Sequence, residues 1–205
     1  MALIENVFGM NGKFGDWVMC RRGGKTYVKR RTKIQAPATE MQEAARRRWK
    51  ATVRFYQQLP TEAREFLNRV ARVNGTWSGY NFFLKHNLKV VTEDGEITDP
   101  SLLLFSAGER ARVADLRGER NETGIVLRWN NWLTGFGEEN DRLVVIVALE
   151  NRMFSPMMAE GVDACRKDGI AWFPIAGKEK RRAHLYCCFV APDGEGFSRT
   201  QHVEV

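Results

Sequence analysis

The chain has 205 residues, of which 43% are hydrophobic and 11% aromatic, so it can bury a real core in one large domain or two small ones. This composition argues against disorder over most of its length. No apolar run approaches the roughly 20 residues of a membrane helix, and the start of the chain lacks a basic leader followed by a long apolar region. We therefore expect no membrane insertion, no secretory signal and a protein that is cytoplasmic on synthesis.

Charge is distributed unevenly along the chain. Through Thr92 there are 18 lysines and arginines against 6 aspartates and glutamates, a balance of +12. From Glu93 onward there are 14 against 19, a balance of −5. A split this sharp indicates two domains, residues 1–92 and 93–205. The basic half is suited to a polyanion or an acidic protein surface.

The first predicted element is a β-hairpin. Two β-prone runs, Trp17–Arg22 and Lys25–Arg30, flank the pair Gly23-Gly24. Two glycines between such runs are typical of a two-residue hairpin, because the primed turns need positive φ. In the resulting register Met19 lies opposite Val28.

Helices are predicted next. Thr39-x-x-Gln42 has the form of a capping box, and Pro60 ends the helix that it opens. A second helix ends at Asn74-Gly75, and a short third helix spans about Gly79 to Asn87. The spacing of the first helix predicts this buried stripe: Met41, Ala45, Arg48 or Trp49, Thr52 or Val53, and Tyr56.

Near Asp94-Gly95 the pattern changes to period two. Short strands across roughly 105 residues argue for an immunoglobulin-like or fibronectin-type sandwich, with residues 91–100 either a linker or a hairpin. The predicted fold class is α+β: an N-terminal β-hairpin with two or three helices, followed by an immunoglobulin/fibronectin-III-like antiparallel β-sandwich. The expected strands are Ser101–Phe105, Ala111–Leu116, Ile125–Trp129, Arg142–Glu150, Ile170–Ile175, Ala183–Val190 and Phe197–Val205.

Residues for catalysis, cofactors or metals are not expected. The histidines at positions 86, 184 and 202 lie in no recognised signature, and no glycine-rich phosphate loop is present. His184 and Cys188 share one face of a strand, but four residues of strand place them about 13 Å apart, too far to share an ion. The four cysteines have no C-x-x-C spacing and are expected to be reduced. We expect a protein that is not an enzyme, with no cofactor and no metal.

The basic residues of the first half are the candidate binding residues. Positive rows beside Trp17, Tyr27 and Trp49 can contact phosphates by charge and bases by stacking. They can also dock on an acidic protein surface or remain solvated, and no signature of specific nucleic-acid readout is present. The candidates are Arg21, Arg22, Lys25, Lys29, Arg30, Arg31 and Lys33 on and after the hairpin, and Arg46, Arg47, Lys50 and Arg54 on the first helix.

Two stretches carry a resemblance. Residues 12–18 (Gly-Lys-Phe-Gly-Asp-Trp-Val) with the hairpin cations resemble the G-K-x-G-x-x-V opening of an uncharacterised Bacteroidota protein family. The run Pro37-x-Thr39-x-x-Gln42-x-x-x-Arg46, followed by Ser78-Gly-Tyr-Asn-x-Phe-Leu84, resembles a module of that family and of phage or prophage structural proteins. The resemblance implies an immunoglobulin-like C-terminal domain and a structural role, and it brings no catalytic residues.

The function expected is therefore that of a non-enzymatic structural or interaction protein, a component of a phage or prophage virion or of a related assembly. It would dock through its basic N-terminal half, and a homo- or hetero-oligomer with protein partners is expected. The alternative is a nucleic-acid-binding protein that uses the basic hairpin and the first helix.

Overall fold

The computed structural model describes residues 2–3, 12–22, 24–31, 37–131, 135–175 and 182–205. The chain forms two compact units, Met1–Glu40 and Met41–Val205. It is a mixed α+β protein with antiparallel sheets. The units divide at a different place from the 92/93 boundary that charge and periodicity predicted.

The N-terminal unit contains a four-stranded sheet. The hairpin expected from Gly23-Gly24 joins β3 to β4, with Met19 opposite Val28 as predicted. A second two-residue turn, Gly15-Asp16, joins β2 to β3, and Gly15 and Gly24 have the positive φ that such turns require. Lys33 lies outside the described residues. In the order β1-β4-β3-β2, the strands are β1 (Ala2–Leu3), β2 (Gly12–Phe14), β3 (Trp17–Arg22) and β4 (Lys25–Arg30).

The C-terminal unit begins with helices α1 (Glu40–Gln58), α2 (Thr61–Val73) and α3 (Gly79–Asn87), as the sequence predicted. The predicted stripe of α1 is wrong over the first half of the helix. Met41 is 85% exposed and Trp49 is 48% exposed, whereas Thr52 and Phe55 further along are buried. Helical spacing marks an apolar face, but only tertiary contact buries it, and the other elements of this unit pack on the second half alone.

Helices α2 and α3 approach each other closely at Gly79. A Cβ at this position would lie 2.7 Å from the backbone nitrogen of Asn68, so only glycine fits. The Gly79 amide donates to Asn68 Oδ1 at 2.8 Å, and the Ser78 hydroxyl accepts from the Asn81 amide at the start of α3. The run Ser78–Leu84 is therefore a helix start shaped for packing against α2.

Two sheets follow the helices. One has the order β11-β10-β7-β8 and the other the order β5-β6-β9. Short 3₁₀ turns occur at Pro100–Leu102, Glu150–Arg152 and Arg166–Asp168. The strands are β5 (Ala114–Arg120), β6 (Ile125–Asn130), β7 (Arg142–Leu149), β8 (Met157–Met158), β9 (Ile170–Phe173), β10 (Ala183–Val190) and β11 (Gln201–Glu204).

The paired strands β7 and β10 are buried on both faces. One face of β10, with Leu185 and Phe189, packs against the β5-β6-β9 sheet. The opposite face, with Tyr186 and Cys188, packs against the helices. The C-terminal unit is thus a three-layer structure of helices, four-stranded sheet and three-stranded sheet. This arrangement explains why the helices share a unit with the strands.

The strand predicted at Ser101–Phe105 is wrong. Pro100–Leu102 is a 3₁₀ turn, and the residues after it have their backbone groups satisfied by side chains. The buried Asn87 amide donates to the Leu104 carbonyl and its oxygen accepts from the Leu104 amide, both at 2.8 Å. The Thr200 hydroxyl accepts from the amide of Phe105 at 3.1 Å. Side chains that are distant in sequence thus replace a strand neighbour.

Residues 91–97 form a tight turn. Val91 pairs with Ile97 in an antiparallel bridge, and the Thr92 amide donates to the Glu96 carbonyl at 2.8 Å. Gly95 has a φ of 87°. Of the two interpretations left open by the sequence, the hairpin built on Asp94-Gly95 therefore describes this segment better than a linker.

A buried ionic network lies where β7 begins. The fully buried Asp141 binds Arg110 at 2.7 Å and Arg166 at 3.3 Å. The Arg166 guanidinium also donates to the Ala111 carbonyl and lies 4.5 Å from the Phe189 ring centroid. Burial lowers the pKa of Arg166, and the charge of Asp141 opposes that lowering. The network joins three loop segments to the core strand β10.

We expect Asp141→Ala to destabilise the protein by about 3–5 kcal/mol, because Arg166 would remain buried without its counter-charge. Glu204→Ala is the matched control, since it breaks the exposed Arg182–Glu204 pair and is expected to cost under about 1 kcal/mol. Urea unfolding measures both free energies. Equal losses in the two variants would contradict the role given to the buried network.

Candidate functional site

Helix α1 carries an exposed cationic row that extends from its first half into its second. Arg46, Lys50 and Arg54 are all exposed and form one row, because residues four apart lie on the same face of a helix. Among the described residues, no ion pair to this row is found within 4.0 Å. The row predicted from the sequence is therefore present as a solvent-facing surface, which we call the α1 surface.

A groove of about 410 Å³ runs beside the α1 surface. One wall is helical and cationic, and the opposite wall is the tight turn at residues 93–95. Arg47 crosses the groove and binds Glu93 at 2.8 Å, an exposed pair that contributes little to stability. The groove is lined by Arg47, Lys50, Ala51, Arg54, Gln58, Glu93, Asp94, Gly95 and Phe154.

The N-terminal sheet carries a second set of candidate residues. None of its described side chains from residue 12 to residue 31 is buried. Arg22 ends β3 opposite Lys25. The candidate cations of the N-terminal sheet and those of α1 belong to different units. The candidate cations with exposed side chains here are Arg21, Lys25, Lys29, Arg30 and Arg31.

A row of aromatic side chains was missed by the sequence interpretation. Phe14 lies directly opposite Trp17 across β2 and β3, and Trp17 lies opposite Arg30 across β3 and β4. Directly opposite residues share one face of a sheet, so the three form a continuous row. The signal was the pair Gly15-Asp16, which marks a two-residue turn with Phe14 and Trp17 on either side.

A wider groove lies elsewhere in the C-terminal unit and is less suited to an anionic ligand. It has a volume of about 660 Å³ and includes Arg110, Glu138 and the exposed Phe136 in its lining. Arg110 is already bound to Asp141 at 2.7 Å and to Glu138 at 3.1 Å. The charge of Arg110 is therefore neutralised by carboxylates of the protein itself. The charges of the α1 surface have no such ion pairs among the described residues.

The cysteines of β10 and the histidines of β10 and β11 are accounted for by burial and by contacts within the fold. Burial raises the pKa of both thiols, that of Cys188 to about 12, so neither is a thiolate at neutral pH. His184 Nδ1 and His202 Nε2 are 3.0 Å apart and the two rings are stacked. These two nitrogens therefore share one hydrogen bond. Within the described ranges, no group of three or more histidine, cysteine, aspartate or glutamate residues could hold a metal ion.

The chain matches no protein-family model and no curated protein. Among the described residues, no helix is both long enough and apolar enough to cross a membrane.

The position of His202 predicts a pH dependence of stability. Burial lowers the pKa of His202 below 6.5 and His184 adds to this, while Glu204 and Asp99 oppose it. Because the unfolded chain then binds the proton more readily, the stability is present above about pH 6.5 and is lost as the pH falls towards the folded-state pKa.

We expect the free energy of unfolding to fall between about pH 7.5 and pH 5.5, and to fall less in His202→Gln. Urea unfolding at the two pH values measures this difference. Burial also lowers the pKa of His86, so part of the fall should persist in the variant. An equal fall in both proteins would contradict the contribution of His202.

Proposed function

We propose that this protein is a non-enzymatic structural or interaction protein that docks on an acidic partner through its basic N-terminal half. The half comprises the N-terminal sheet and the α1 surface. The resemblance of residues 37–84 to a module of phage and prophage structural proteins, and of residues 12–18 to the Bacteroidota family that shares this module, supports a place in a virion or a related assembly. The protein would then be made in the cytoplasm and incorporated into a particle.

The observation that carries this proposal is the exposure of the cationic α1 surface. Arg46, Lys50 and Arg54 are like charges at i, i+4 and i+8, and such pairs destabilise a helix. Folding therefore gains nothing from this row. An acidic surface laid against it would turn the repulsion into attraction and would raise the association rate by electrostatic steering.

The N-terminal sheet adds a second line of support. For independent stability a small sheet needs a hydrophobic face or packing against a helix. No described side chain of residues 12–31 is buried. A sheet with this composition gains most when a partner covers one of its faces.

The order of the sandwich strands supports the finer fold assignment. The three-stranded sheet takes the first, second and fifth strands from β5 onward, and the four-stranded sheet takes the seventh, sixth, third and fourth. This division into three and four antiparallel strands supports the immunoglobulin/fibronectin-III-like sandwich that we propose. Such domains occur as adhesive or decorating modules of larger assemblies, which agrees with the proposed role.

We expect the triple variant R46Q/K50Q/R54Q to bind poly-L-glutamate about tenfold more weakly than the unmodified chain, since each exposed ion pair contributes up to about 1 kcal/mol. Fluorescence anisotropy at several salt concentrations measures the affinity. The matched control is R112Q/R117Q/R128Q, which removes three exposed charges from the sandwich half. Equal losses in the two variants would mean that net charge, and not the α1 surface, governs binding.

The assembly role has a separate test. Sedimentation of a native extract should place the protein in a large complex that dissociates at high salt. A clean monomer at low salt would contradict membership of an assembly.

A further inference from the structure

One face of the N-terminal sheet combines exposed aromatic rings with arginines. Phe14 is 79% exposed and Trp17 is 51% exposed, and they lie side by side with Arg30 next to Trp17. Directly opposite residues in such strands are about 4.5–5.5 Å apart, so the three side chains cover roughly 10 Å of the sheet. We call this face the aromatic face.

The rest of the aromatic face is small, apolar or cationic. Two residues further along, Met19 lies between Gly12 and Val28. A Cβ at Gly12 would meet nothing within 4 Å, so space is open above the backbone there. One step beyond lies Arg21, opposite Thr26. The apolar residues of this face therefore lie between Arg30 at one end and Arg21 at the other.

The net charge of the N-terminal unit limits which ligands can bind the aromatic face. Residues 1–40 contain eight lysines and arginines against three aspartates and glutamates, a balance of +5. A second copy of the same face would bring like charges together, which opposes self-association. A purely apolar partner would leave Arg21 and Arg30 without counter-charges. A polyanion with flat apolar surfaces satisfies both the arginines and the rings.

We infer that the aromatic face binds single-stranded nucleic acid, with bases stacked on Phe14 and Trp17 and phosphates bound by Arg21 and Arg30. Stacking on aromatic side chains and charge contacts to the backbone are the two components of sequence-tolerant single-strand binding. A duplex hides the faces of its bases, so the rings would gain nothing from it. The inference concerns a surface distinct from the α1 surface and is independent of docking there.

The test uses the full chain and a fluorescein-labelled oligo-dT of about 20 nucleotides, which is longer than the roughly 4–16 nucleotides of typical single-strand sites. An abasic strand of equal length keeps the phosphates and lacks the bases. We expect oligo-dT to bind at least about tenfold more tightly than the abasic strand. Equal affinity for the two strands, or no binding at low salt, would overturn the inference without any variant having to fold.

Variants then place the site. F14L/W17L should weaken oligo-dT binding about tenfold or more and remove the preference over the abasic strand. Trp17→Phe, which keeps a ring, should retain most of the affinity. The matched control is F136L/W172L, because these residues are 76% and 50% exposed in the other unit. A loss of the same size in the control would overturn the assignment to the aromatic face.

Loss of the two arginines should change the salt dependence of oligo-dT binding. R21Q/R30Q should lower the slope of log affinity against log salt by about 1.4, since each lost single-strand phosphate contact reduces it by about 0.7. The leucine variants should leave this slope unchanged. Poly-L-glutamate binding that falls in F14L/W17L as much as oligo-dT binding does would identify the aromatic face as a general polyanion surface and overturn the inference. Loss of oligo-dT binding in R46Q/K50Q/R54Q but not in F14L/W17L would place the binding site on the α1 surface and overturn the inference.

Discussion

The strand pair β7–β10 carries two cores at once, and the C-terminal unit depends on that double burial. Residues of alternating orientation on these strands face the helices on one side and the three-stranded sheet on the other. Neither outer layer can be removed without exposing half of the side chains of the central pair. The second half of α1 is held in this way through Phe55 and its neighbours. Its first half continues beyond the packed layer, and the α1 surface is exposed to solvent along both halves.

The two halves of the chain use charge in opposite ways. In the C-terminal unit, Arg110 and Arg166 converge on the buried Asp141, and the paired charges stabilise the loops around β7. On α1 and on the N-terminal sheet, cations are exposed in rows that cost stability or add nothing to it. Charges that do not serve the fold are the natural candidates for binding, which is why both proposals rest on those surfaces.

Much of the local structure could be predicted from the sequence. The Gly23-Gly24 hairpin and its register are confirmed, and so is the strand predicted at Ile125–Trp129, which is β6. The α1 row at Arg46, Lys50 and Arg54 is also where helical spacing placed it. The Phe14–Trp17 row was missed because the second turn, Gly15-Asp16, was not recognised as a hairpin. The prediction that Met41 and Ala45 are buried failed because periodicity shows which face is apolar and not whether anything covers it.

The amino-acid sequence by itself determined the helices, the hairpin, most strands of the C-terminal unit and the position of the cations. These features follow from local spacing, turn residues and charge. Tertiary structure alone decided that the helices and strands of residues 41–205 form one three-layer unit. It also decided that residues 103–106 are held by Asn87 and Thr200 instead of by a strand neighbour. The uninterrupted apolar runs of β7 and β10 were compatible with burial on both faces. Only the contacts made by residues distant in sequence could show what lies on each side.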